Sequence, residues 1–286
     1  MIKLVGIDLD GTLLNPEKKV TSENAKAIEE MEKAGIIVTV FTGRSWISGR
    51  DYLENIGGDI PAVFQNGAYI ITTKSHEVLK EVYLDANLAL QLNDAAKKRG
   101  IFCVTTTNFS SFPDMIHEMN VPKKSRFMPY LERNFYRMKK IENLENEIND
   151  KVAGVELIGN FYEIEKILAD FKEEEMTIVV DTILEEEAFV EILGKGCGKE
   201  VAMDFLVKHF GLSLEETAFI GDGYNDAKVL QMVSHAIVMG NAPTQIKNIA
   251  EFVTSTNAED GVARAVREFI LKERDYVDQN CHPNGQ

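Results

Sequence analysis

The chain has 286 residues, enough for one large domain or two modest ones, and a 44% hydrophobic content is sufficient for a buried core. No stretch approaches the run of about eighteen apolar residues that crosses a membrane, and no basic-then-apolar leader pattern opens the sequence, so no membrane association and a cytoplasmic location are expected. With 46 acidic against 31 basic residues the net charge is -15, which disfavours nucleic acid and anionic membrane as partners and obliges any site for an anionic substrate to supply its own positive charge.

From the N-terminus, residues 2–7 read as a buried strand. Residues 21–35 carry Ala25, Ile28 and Met31 at helical spacing and stop at a glycine, and residues 36–41 are again apolar or β-branched. That is a βαβ unit, which makes the first two strands parallel. A third strand is predicted at 62–65 and an outgoing edge strand at 69–72. Residues 83–187 have an αβ pattern of their own, with helices at 87–99 and 162–173 and strands at 102–106, 152–158 and 176–181. They are read as an inserted domain, a mixed sheet with helices on one face.

The first grammar then resumes with a strand at 188–193 and a glycine-rich turn at 194–198. A helix at 199–210 follows, then a strand at 218–220, a helix at 226–233, a strand at 235–239 and a helix at 244–250. The expected class is therefore α/β, a doubly wound parallel sheet built from residues 1–82 and 188–272, interrupted by the insert and followed by a tail at 273–286. Cys103, Cys197 and Cys281 are odd in number and widely spaced, and read as reduced bystanders. The five histidines show no metal-ligand spacing.

Open α/β sheets bind ligands beyond the carboxyl ends of their strands, and four polar clusters fall there. They are Asp8-Leu9-Asp10-Gly11-Thr12, Thr42-Gly43-Arg44, Lys199 at a helix start, and Gly221-Asp222-Gly223-Tyr224-Asn225-Asp226. Taken singly, the last three are ordinary caps, turns or surface. Together they supply what phosphoryl transfer through an aspartyl phosphate requires. A carboxylate attacking an anionic phosphoryl group needs charge neutralised, which suits Mg²⁺ on oxygen ligands such as Asp8 and Asp222. A second carboxyl, Asp10, can protonate the leaving alcohol and then activate water. Thr42 and the Gly43 amide can hold phosphoryl oxygens, Lys199 adds charge, Asn225 can donate to the phosphoryl group, and Asp226 can orient Lys199 or a metal-bound water.

These four motifs resemble those of the haloacid dehalogenase (HAD) superfamily. Gln65-Asn66-Gly67-Ala68, Val238-Met239-Gly240-Asn241-Ala242 and Glu259-Asp260-Gly261-Val262-Ala263 resemble its Cof-type branch, subfamily IIB. The likeness covers residues 1–75 and 188–270 and is weak through the insert. It implies a HAD-like Rossmannoid core with an inserted α/β cap of the C2B type that closes over a small phosphorylated metabolite, such as a sugar phosphate or nucleotide-like ester. It further implies Asp8 as nucleophile and Asp10 as general acid/base. Mg²⁺ would sit on Asp8, the Asp10 backbone carbonyl and Asp222, with Asp226 close by, and phosphate on the Leu9 and Gly43 amides, Thr42, Lys199 and Asn225. The third motif departs from the family's usual Lys-Gly-x-Ala, since Lys199-Glu200-Val201-Ala202 lacks the glycine; Lys195-Gly196 keeps it without the alanine, so Lys195 is the lesser candidate.

The motifs alone leave a phosphomutase open, since it uses the same phosphoaspartate, and also a non-catalytic phosphoacceptor or metabolite-binding regulator. Paired carboxylates also suggest glycoside hydrolysis, which explains neither Lys199 nor the second acidic cluster. An aromatic and Met-rich stretch, from Phe109 to Tyr136 with Lys123, Lys124 and Arg126, reads first as core and surface of the cap. The sequence does not choose between monomer and dimer.

Overall fold

The computed structural model describes residues 1–54 and 56–272, the side chain of Asp181 excepted. The tail expected at 273–286 lies outside the described residues, and Cys281 and His282 with it. The chain divides into two compact units, one of residues 1–44, 49–79 and 199 onward, the other of 45–48 and 80–198. In chain order the strands are β1 (Leu4–Asp8), β2 (Ile37–Phe41), β3 (Pro61–Phe64), β4 (Tyr69–Thr72), β5 (Val78–Glu81), β6 (Phe102–Thr106) and β7 (Met115–His117), then β8 (Met138–Lys140), β9 (Gly154–Asn160), β10 (Met176–Leu184), β11 (Glu187–Gly194), β12 (Thr217–Gly221), β13 (His235–Val238) and β14 (Phe252–Val253).

The first unit holds an eight-stranded sheet in the order β14-β13-β12-β1-β2-β3-β4-β5. It is parallel from β14 to β3 and turns antiparallel at β4. All five residues of β1 are buried, because a central parallel strand is covered on both faces, and this is why residues 2–7 show no alternation. The helix Ser22–Lys33 starts at Thr21, whose hydroxyl accepts from the Asn24 amide, and it buries Ala27, Ile28 and Met31. The expected edge at 69–72 is not the edge, since β5 lies outside it. Close packing centres on Gly6, where an added Cβ would come within 2.6 Å of Phe219, 2.8 Å of Met203 and 2.9 Å of Phe41.

The second unit is a six-stranded sheet in the order β10-β11-β9-β6-β7-β8, antiparallel except for β7 with β8. Leu88 and Leu92 of the helix Ala86–Arg99, and Ile164 and Ile167 of the helix Phe161–Leu168, pack with Cys103, Leu157 and Val190. Val104, Ile158 and Phe189 pack instead with Phe127 and with Leu131 of the helix Met128–Asn134. Helical cover therefore reaches both faces, where one was expected. The boundary at 188 also needs correction: β11 is paired between β10 and β9 in this sheet, and the first unit resumes at Lys199. A strand covered on both faces is largely apolar whether it is a parallel core strand or the middle of an antiparallel sheet, so residues 188–193, apolar but for Glu191, did not reveal which sheet they join.

Candidate active site

Three strand ends stand level in the first unit. Asp8 of β1 is in register with Phe41 of β2, and Ile7 with Ile220 of β12. The residues that leave these ends are thus gathered beyond the carboxyl edge of the sheet, and the helix Lys199–His209 brings its first residue to them.

Lys199 is the centre of the arrangement. Its side chain is only 1% exposed, and its Nζ donates to Asp8 Oδ1 at 2.5 Å and to Asp226 Oδ1 at 2.6 Å. Burial works against its charge, but the two carboxylates outweigh that and raise its pKa above the ordinary lysine value. Lys195, the rival reading of the third motif, is exposed. Asp226 Oδ2 in turn accepts from the Asp222 amide at 3.1 Å and the Gly223 amide at 2.9 Å. Asp226 thus holds the lysine through Oδ1 and the turn through Oδ2.

Asp222 accepts from the Thr12 hydroxyl at 2.8 Å on Oδ1 and from Asn241 Nδ2 at 3.2 Å on Oδ2. Oxygens of Asp8, Asp222 and Asp226 all lie within 4.8 Å of one another, and among the described residues this is the cluster able to hold a metal ion. Burial and the neighbouring carboxylates lift Asp8 well above the usual carboxylate range against the pull of Lys199. Asp222 is raised to about 6, chiefly by burial and by Asp226, against the Thr12 hydrogen bond. Three crowded carboxylates around one ammonium leave a deficit of positive charge, and an all-oxygen donor set of this kind fits a hard divalent cation such as Mg²⁺.

Asp10 is held by two cations of its own. Arg44 Nε donates to its Oδ2 at 2.5 Å and Arg44 Nη2 to its Oδ1 at 2.7 Å, while Lys18 Nζ reaches Oδ1 at 2.8 Å. Burial would raise its pKa, but Arg44 and Lys18 together bring it down to about 2. The Arg44 guanidinium lies over the Tyr52 ring, 4.8 Å from the centroid. The loop that carries Arg44 is braced from below. Thr42 Oγ1 accepts from the Arg44 amide at 3.0 Å, leaving its own hydrogen available, and the Gln65 and Asn66 amides donate to the Arg44 and Thr42 carbonyls at 2.8 and 3.1 Å. Gln65 and Asn66 both sit at positive φ, 43° and 48°, which this bracing turn requires.

Of the residues expected at the phosphate, Thr42, Gly43 and Lys199 occupy the strand-end loops and helix start described above. The Asn225 carboxamide oxygen folds back over Gly223. Leu9 does not fit its expected part: its amide donates to the Phe41 carbonyl at 3.0 Å, so its one hydrogen is spent in the β1–β2 ladder. Four residues that touch the site had no assigned role: Thr12, Lys18, Arg44 and Asn241. Thr12, Arg44 and Asn241 lie inside the motif strings, so their position was a signal; Lys18 follows an irregular stretch and had none.

The haloacid dehalogenase-like hydrolase family matches residues 5–266. The chain belongs to that family. Within it, it is a Cof-type phosphatase. It is 28% identical over 288 residues to the phosphatase YwpJ of Bacillus subtilis (strain 168), covering 94% of this chain and all of the relative. It is also 28% identical over 273 residues to the 5-amino-6-(5-phospho-D-ribitylamino)uracil phosphatase YcsE of the same organism, covering 94% and 96%. In fold it is similar to BT1666 from Bacteroides thetaiotaomicron, described as a HAD-superfamily phosphatase, with a TM-score of 0.79 at 21% identity and coverage of 94% and 95%. Among the described residues of the phosphatase, no helix is long and apolar enough to cross a membrane.

Proposed function

We propose that this phosphatase hydrolyses a phosphomonoester of a small metabolite, a sugar phosphate or a nucleotide-like ester, in a Mg²⁺-dependent reaction through an aspartyl phosphate on Asp8. The observation that carries this reading is the buried ammonium of Lys199 fixed on Asp8 and Asp226 beside Asp222. Asp8, Asp222 and the Asp10 backbone carbonyl hold the Mg²⁺, with Asp226 behind them keeping Lys199 in place. The ion supplies charge neutralisation for a phosphoryl group entering an acidic site.

An Asp8 carboxylate oxygen attacks phosphorus as the bond to the leaving oxygen breaks, and Asp10 gives that oxygen its proton. Water then loses a proton to Asp10 and attacks the same phosphorus, the bond to Asp8 breaks, and inorganic phosphate leaves with Asp8 restored. Thr42, the Gly43 amide, Lys199 and Asn225 hold the phosphoryl oxygens, while Leu9 is left to the ladder. In the resting arrangement Asp10 is ionised and both its oxygens are engaged by Arg44 and Lys18, so it must come off that fork to act as an acid. The ribitylamino phosphate in the name of YcsE supports the substrate class. A cytoplasmic location belongs to the same reading, supported by Cys103 and Cys197 being free thiols.

The test is turnover of p-nitrophenyl phosphate with Mg²⁺. Asp8→Asn is expected to lose at least about a thousandfold in kcat, the scale on which removal of a nucleophile acts. A rate within tenfold of the parent, in a preparation free of other phosphatases, would refute the assignment.

A further inference from the structure

Asn241 stands outside every role given above, yet it makes three hydrogen bonds at the exposed side of the site, one of them to Asp222. Its Nδ2 donates to the Gly11 carbonyl at 2.9 Å and to Asp222 Oδ2 at 3.2 Å, and its Oδ1 accepts from the Asn257 amide at 2.9 Å. The loop that presents it is itself fastened: the Gly240 amide donates to the Ser255 carbonyl at 2.9 Å, and Lys247 Nζ donates to the Gly240 carbonyl at 2.6 Å. Asn257 continues the tie, its Nδ2 donating to the Leu14 carbonyl at 2.8 Å.

The residues it joins come from opposite ends of the chain. Gly11 lies in the turn after the nucleophile's strand, at φ 83°, where an added Cβ would collide with the Asp222 carboxylate. With Thr12 on Oδ1 and Asn241 on Oδ2, each oxygen of Asp222 accepts one hydrogen bond. A carboxylate has about four lone-pair directions, so both oxygens keep acceptor capacity for a cation.

We propose that Asn241 is a positioning residue for the divalent-cation site: it fixes the Asp222 carboxylate and ties it to the Asp8–Gly11 turn, so that the two acidic clusters meet at a set separation. This rests on the Mg²⁺ reading above. Removal of a partner that orients a metal ligand typically weakens metal binding by 10- to 100-fold.

The test is titration of the metal-free full chain with magnesium chloride alone, followed by calorimetry. Asn241→Ala is expected to raise the Mg²⁺ Kd by at least about tenfold. Asn257→Ala, which keeps the backbone amide on Asn241 and loses only the tie to Leu14, is expected to stay within about threefold, and thermal unfolding of each metal-free variant shows that it is folded. In an Asp222→Asn background, Asn241→Ala should change the Kd no further, which a general loosening of the loop would not produce. A folded Asn241→Ala protein with the parental Kd would overturn this proposal alone. An equal further loss in the Asp222→Asn background would overturn it too, and a parent that binds no Mg²⁺ would overturn the cofactor reading and this proposal together.

Discussion

At the scale of single residues, the site is a problem in charge. Asp8, Asp222 and Asp226 are crowded into one place with Lys199 as the cation between two of them. The folded-state pKa of Asp222, about 6, and that of Asp8 lie above the ordinary carboxylate value, so the folded, metal-free protein takes up protons that the unfolded chain does not. Asp222 contributes stability that is fully present below about pH 4 and lost as pH rises through about 6, and Asp8 acts in the same direction, while Asp10, held down to about 2, acts in the opposite sense only under acid conditions. Thermal unfolding in EDTA should therefore show Tm rising as pH falls from about 7.5 to about 5, more weakly in Asp222→Asn, and Mg²⁺ should flatten the trend in the parent. A metal-free Tm that falls over that range, equally in both proteins, would contradict this view of the cluster.

The same residues show what the sequence could reveal of the site. Asp8, Asp222, Asp226 and Lys199 were legible because each stands at a strand end or helix start, and ordinary caps and turns do not place three carboxylates and a lysine at such positions together. Leu9 was misread because an amide's partner is set by strand pairing, and only the register of β1 against β2 shows that Phe41 already accepts its hydrogen. The Arg44 fork on Asp10 and the Asn241 bridge depend on loops 34 and 230 residues away in sequence, which no local spacing encodes.

At the scale of elements, the strands that deliver these residues were readable where their periodicity was distinctive. The βαβ opening, with its helix Ser22–Lys33 stopped before Gly35, is an example, and so are β12 and β13. β11 was assigned to the other sheet because its largely apolar sequence fits either, and partner strands decide the matter. The packing beneath the site is tight enough to test. Gly6 lies two residues before Asp8, against Phe219, Met203 and Phe41, and of these only the Met203 methyl sits at the end of a flexible chain. Gly6→Ala should destabilise the protein by about 1–3 kcal/mol through overpacking. Urea unfolding measures it, and a variant as stable as the parent would show that the sheet yields there more readily than its contacts indicate.

At the scale of the molecule, a chain of net charge -15 nevertheless gathers cations at one sheet edge, as a site for an anionic ester requires. Arg44 and Lys18 stand on Asp10, and Lys199 stands on Asp8. The two-unit division was legible from the change of pattern after β5, but its return point at Lys199 was not, since β11 and the turn after it read like the core. The central claim is that Asp8 carries the phosphoryl group. The most direct measurement is peptide mass spectrometry of the Asp10→Ala protein, acid-quenched during reaction with p-nitrophenyl phosphate and Mg²⁺; this leaving group needs no protonation, and on the proposed mechanism loss of Asp10 is expected to slow the return of Asp8. A phosphoryl group is expected on the peptide bearing Asp8, absent without Mg²⁺ and absent in Asp8→Asn. Release of p-nitrophenol with Asp8 unmodified, or with the phosphoryl group on another residue, would contradict the claim.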